Sequence, residues 1–206
     1  MRPLALMLAA AAAVLADAGC GGTEAGTGAP ATRDNAAFSF RGVPVAEPAA
    51  APEIALRDQH GKLVRLSSYR GELTIVTFLY TSCTDVCPLI ADRLDAALRR
   101  LSAAGYPTNV LAVSVDPWGD TQAAVRRFVR LHRPVPRFRY LRGSAAELKP
   151  VRRAYGVAAD PESSSTAVAY SAFELLIDRS GIERVYYTSQ MSTADVVHDV
   201  EQLARP

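Results

Sequence analysis

The stretch "ELTIVTFLYTSCTDVCPLIADRL", residues 72–94, decides how the rest of this chain is read. Its first part, Leu73 to Tyr80, is continuously apolar or β-branched, as a central strand covered on both faces should be. Beyond Pro88, Ile90, Leu94, Ala97, Leu98 and Leu101 recur at helical spacing until Gly105 ends the run. A buried strand therefore passes into an amphipathic helix through the short segment that carries Cys83 and Cys87. Proline suits the first turn of a helix and drives the residue before it out of helical conformation. That predicts Cys87 at or near the helix N-cap and Cys83 in the loop leading to it.

Unpaired N–H groups and the positive end of the helix dipole stabilise an anion there, which lowers a thiol's pKa. A turn of this length also brings two sulfurs within bonding range. The pair can open and close as a dithiol, or hold one soft ion, for which copper(I) suits two sulfurs better than zinc. Two blander readings stand beside these: a static disulfide, or two small core residues. Asp85, between the cysteines, works slightly against thiolate formation.

Working outward, "EIALRDQHGKLVRLSSYRG" reads as a hairpin about its "DQHG" turn, and "NVLAVSVD" as a second buried strand. A helix follows from near Thr121, lined by Val125, Phe128, Val129 and His132 and stopped by Pro134. "RFRYLRG" is a short strand, and "SAAELKPVRRAYG" a helix that Pro150 should interrupt or restart. Two antiparallel strands about "DRSG" and a closing helix from Ser192 complete the chain. This order predicts an α/β, thioredoxin-like fold: a central mixed sheet flanked by helices, with an added N-terminal hairpin. Sites in such sheets gather at the carboxyl ends of the central strands, where Cys83 follows one strand and Asp116 the other.

The N-terminus carries Arg2 and an apolar run from Leu4 to Ala16, thirteen residues, short of the roughly 20 a membrane span needs but apt for a secretory signal. Ala18 and Gly19 directly before Cys20 resemble a bacterial lipoprotein cleavage site, with plain cleavage after Ala18 as the alternative. The expected organisation is a signal peptide over 1–19, a flexible Gly/Ala/Pro-rich tether over 20–52, and a folded domain over 53–206. Such a protein works outside the cytoplasm, on the bacterial cell membrane if Cys20 carries lipid, and periplasmic or secreted otherwise. Of three cysteines, lipidation of Cys20 leaves Cys83 and Cys87 as a pair. A formal charge of +2 from intermixed ions predicts no nucleic-acid partner.

"FLYTSCTDVCP", "SVDPWGDT" and "YSAFELLIDRSG", in this order, resemble the Sco/SenC family of membrane-anchored thioredoxin-fold proteins, from about Glu53 to the C-terminus. The resemblance implies assembly of the copper centre of cytochrome c oxidase, by copper transfer or by reduction of the receiving cysteines. Its partner is then the copper-receiving oxidase subunit, or another extracytoplasmic thiol protein. The family's metal and redox cysteines fall on Cys83 and Cys87, and its aspartates on Asp85, Asp116 and Asp120, with Asp85 and Asp116 as the supporting residues. Thr84 stands where the family usually has proline. Copper-binding members supply a histidine where this chain has Tyr170, whose phenol, with a pKa of about 10, replaces imidazole poorly. That shifts the expectation toward copper(I) or metal-free thiol exchange.

None of His60, His132 and His198 falls in a matching motif, and each reads as structural or solvated. A thiol peroxidase would carry Thr three residues before its reactive cysteine, where Tyr80 stands here. Trp118, the only tryptophan, is expected to cap the core edge, with a docking contact as the alternative. The polar loop from Asp160 to Thr166 reads as a mobile cover for the site.

Overall fold

The computed structural model describes residues 38–157 and 172–205. Along the chain run β1 (Val43–Pro44), β2 (Ala55–Arg57), β3 (Leu63–Arg65), β4 (Leu73–Leu79), α1 (Val86–Ala103), β5 (Thr108–Ser114), α2 (Gln122–His132), β6 (Phe138–Leu141), α3 (Ala145–Ala154), β7 (Phe173–Ile177), β8 (Glu183–Thr188) and α4 (Thr193–Ala204). Six strands form one sheet in the order β1-β8-β7-β4-β5-β6, and β2 and β3 pair separately as the expected hairpin. β5 runs parallel to β4 and β6, while β7 returns antiparallel to β4. The fold is thus α/β and thioredoxin-like, a mixed sheet flanked by helices.

β4 and β5 are buried along their whole length, as their unbroken apolar sequences require. Register places Thr77, Ala112 and Tyr140 on one face, together with Glu174 and Tyr187. α1, α2 and α4 cover that face: Phe128 of α2 meets Tyr140 edge-on, and Tyr187 donates to Asp199 of α4. Phe78 points the other way and meets Tyr155, just past α3.

Three local outcomes differ from the sequence expectations. α3 runs unbroken through Pro150, whose ring faces solvent. The capping box of Ser144 and Glu147 and the buried Leu148, Val151 and Arg152 hold the helix on both sides of the one lost hydrogen bond. Residues 38–52 belong to the folded unit rather than to a tether. β1 pairs with β8, and the N–H groups of Arg41 and Gly42 donate to the buried Asp199 carboxylate at 2.8 and 2.9 Å. Finally, α2 turns Arg126, Arg127 and Arg130 outward, a local cluster within an evenly mixed composition. α2 ends as Arg133 enters the left-handed region at φ 44°, just ahead of Pro134.

Candidate dithiol site

β4 and β5 end side by side, and the Val115 N–H donates to the Leu79 carbonyl at 3.0 Å. Past Leu79 the chain turns so that the Cys83 N–H donates to the Tyr80 carbonyl at 3.3 Å. Asp85 is the N-cap of α1, so Cys87 is the second helical residue rather than the cap itself. Asp85 makes no capping bond with its carboxylate. The Cys83 sulfur takes that place, accepting the Cys87 N–H at 3.3 Å and satisfying an amide the helix leaves unpartnered. Pro88, next along, brings no N–H that needs a partner.

Neither cysteine is tied up in a disulfide. Cys83 is 8% exposed and Cys87 fully buried, so Cys83 is the member of the pair nearer the surface. Burial pushes the Cys83 thiol up. Hydrogen bonds from the Cys87 thiol, from the Cys87 and Asp85 N–H groups and from the Tyr80 phenol outweigh it, and hold Cys83 below the ordinary thiol value. Tyr80 moves the opposite way, up to about 12, through burial and then the neighbouring sulfurs. It therefore remains a protonated donor beside a thiol inclined to ionise.

The second loop supports the first. Asp116 accepts the N–H groups of Trp118 and Gly119 on Oδ1 at 3.0 and 2.7 Å, closing its own turn. Gly119 leaves room for this carboxylate: a Cβ there would meet Asp116 Oδ2 and push it out of its turn-closing position. Asp120 is the residue that grips the cysteine loop. Its Oδ1 accepts the Thr81 N–H at 2.7 Å, while Oδ2 accepts the hydroxyls of Ser114 at 2.5 Å and Tyr140 at 2.8 Å. The sequence assigns the supporting roles to Asp85 and Asp116 and marks Asp120 only as a motif aspartate, because the partners of Asp120 come from three separate segments. From the other face, Arg152 donates to the Val115 carbonyl at 2.9 Å.

The histidines lie elsewhere. His60 sits in the hairpin turn, His132 pairs with Asp92 at 2.8 Å, and His198 with Asp199 at 2.9 Å. Among the described residues, no group of three or more His, Cys, Asp or Glu side chains is placed to hold a metal. Tyr170, the 160–166 loop and Cys20 fall outside the described residues.

Comparison with known proteins agrees with this arrangement. The SCO1/SenC family model matches residues 46–205. The mitochondrial SCO2 homolog of Bos taurus is 31% identical over 157 residues, a match that covers 73% of this chain and 58% of that protein. Among solved structures, ScoI of Bradyrhizobium japonicum with copper bound is 27% identical at a TM-score of 0.65, covering 75% of this chain and 99% of that one. A SCO1/SenC family lipoprotein from Bacillus anthracis, 19% identical, shares the fold at a TM-score of 0.70 over 81% of this chain and 100% of its own. The chain belongs to the SCO1/SenC family.

Proposed function

We propose that this chain serves assembly of the copper centre of cytochrome c oxidase, with Cys83 and Cys87 as a redox-active dithiol that carries copper(I), reduces its client's cysteines, or both. The observation that carries this reading is the Cys83 sulfur held against the N-terminus of α1, with Cys87 beside it and no disulfide between them. It is supported by relatives from Bradyrhizobium japonicum and Arabidopsis thaliana solved with copper bound. The donor set fits: two thiolates from one loop-to-helix junction suit copper(I), a soft ion, and would hold copper(II) weakly. In this reading copper is cargo, received and passed on.

The thiol route uses the same atoms. The Cys83 thiolate attacks one sulfur of a client disulfide, forming a mixed disulfide and releasing a client thiolate. The Cys87 thiolate then attacks Cys83, closes the 83–87 bridge and expels the second client sulfur. The client gains two electrons, and the protons of the two cysteine thiols end on its sulfurs. A general extracytoplasmic oxidoreductase without copper is the second reading. It is favoured by the pairing of His132 and His198 with aspartates away from the dithiol, by the place of His60 in the hairpin turn, and by tyrosine at position 170. Export as a lipoprotein through Cys20 belongs to the same proposal, and mass spectrometry of the mature N-terminus tests it.

Copper(I) titration of the reduced protein against a competing chelator separates the two readings. One copper(I) per reduced pair, abolished by Cys83→Ser, supports carriage. Absence of binding, with reversible Cys83–Cys87 oxidation retained, leaves thiol exchange alone. Tyr170→His is expected to add tight copper(II) binding that the parent lacks.

A further inference from the structure

We infer that Trp118 is the anchor by which the client docks over Cys83. The inference rests on the proposed function for the client's identity, the copper-receiving domain of cytochrome c oxidase, while the docking surface itself is read from the geometry. The only tryptophan of the chain is 71% exposed, against the expectation that it caps the core edge. Among the described residues its ring has no aromatic contact and its indole N–H no partner. Tryptophan left in water this way marks a binding surface more often than a packing one.

The exposed ring stands on a rigid base. Asp116 Oδ1 binds the Trp118 and Gly119 N–H groups, the Asp120 N–H donates to the Asp116 carbonyl at 3.1 Å, and Asp120 in turn holds Thr81. Trp118 thus sits two residues from a carboxylate bonded to the backbone two residues before Cys83. Beyond the cysteine loop, Leu89 in the first turn of α1 is 49% exposed. Ser82 and Thr84, small and exposed, flank Cys83 along the chain, and the exposed Asp85 carboxylate caps nothing.

The chemistry requires a cover on this rim. With Cys83 only 8% exposed, a protein sulfur or a metal-receiving thiol reaches it only by pressing onto the surrounding surface. The partner that fits has an apolar recess for the indole and a Lys or Arg facing Asp85, close to its own cysteines. Small thiols and disulfides need none of these contacts. Trp118 therefore governs recognition of the protein client and not the intrinsic reactivity of the dithiol.

As the only tryptophan, Trp118 reports on its own docking. Full chain carrying Cys83→Ser and Cys87→Ser, which blocks the chemistry, is mixed with the oxidised soluble copper-receiving domain of cytochrome c oxidase. The Trp118 contribution is isolated by subtracting the same mixture made with Trp118→Ser. Expected are a blue shift and loss of acrylamide quenching. Anisotropy of labelled client should show affinity weakened tenfold or more by Trp118→Ser. Reaction of the unblocked dithiol with dithiobis(nitrobenzoate) should stay unchanged by the same substitution. Unchanged emission at saturating client, absence of binding, or equal affinities for both proteins overturns the inference. Docking that shields Trp118, while the unblocked dithiol protein passes neither copper nor electrons to the same client, sustains it and overturns the proposed function instead.

Discussion

Two carboxyl groups are closed inside the same sheet, Asp120 at its carboxyl rim and Glu174 in its middle, and they are treated in opposite ways. Asp120, 1% exposed, receives three hydrogen bonds, one from the cysteine loop and two from hydroxyls of β5 and β6. Glu174, fully buried in β7, has one long contact, the Thr77 hydroxyl at 3.5 Å, and its Oε2 has no hydrogen-bond partner among the described residues. Burial raises both. For Asp120 the donors oppose it; for Glu174 neither Thr77 nor Arg93 does so enough, and the group is pushed up to about 8. The rim carboxylate is a built support for the dithiol. The one in the middle is a cost, carried as a neutral acid at ordinary pH.

The largest effect tests the support. Asp120→Ala strands the Thr81 N–H and the Ser114 and Tyr140 hydroxyls in a buried place, and is expected to cost about 3–5 kcal/mol in urea unfolding. In the protein that remains folded, the cysteine loop loses its tie to β5. Cys83 should then alkylate faster under native conditions, because a looser loop exposes its sulfur. A loss under about 1 kcal/mol with unchanged alkylation would show that the network holds nothing.

The contrast between these carboxyls also marks what the sequence reveals. The alternation of long apolar runs and helical spacings makes β4, α1, β5 and the α/β order legible, since each signal lies within one segment. So do the two thiols, because strand, loop, cysteine and proline are consecutive. Asp120 is not legible as a support, because Thr81, Ser114 and Tyr140 meet it only after folding. Glu174 reads as one polar residue in an apolar strand, with nothing local to say that it lacks a partner. The exposure of Trp118 departs from a capped core edge for a related reason: apolar character predicts burial on average, and its turn is fixed by backbone bonds to Asp116 rather than by packing of the ring.

The next effect has the opposite sign. Glu174→Met replaces a poorly partnered acid with an apolar side chain of similar volume between Thr77 and Tyr187, and should stabilise by about 2 kcal/mol at pH 7. The pH dependence follows from a folded-state pKa of about 8 against an unfolded value near 4.3. The folded chain holds the proton longer, so the Glu174 contribution is fully present below about pH 4.3 and is lost as pH rises toward 8. The advantage of the methionine variant should therefore grow between pH 5 and pH 8, read from paired urea curves. A constant or shrinking advantage would mean that Glu174 is ionised and paired in the folded chain.

The smallest effect separates ionic support from packing at the rim. Tyr140→Phe keeps the ring against Phe128 and deletes only the hydroxyl that donates to Asp120 Oδ2. Thr81 and Ser114 remain, so the loss should be about 1 kcal/mol at pH 7. That hydroxyl stabilises the carboxylate more than the acid, so its removal raises the Asp120 pKa further above the usual value. As pH falls through that folded pKa, both proteins protonate Asp120 and the gap between them should narrow. A gap of the same size at acid and neutral pH would assign the Tyr140 hydroxyl to packing, leaving Thr81 and Ser114 as the partners through which Asp120 holds the cysteine loop.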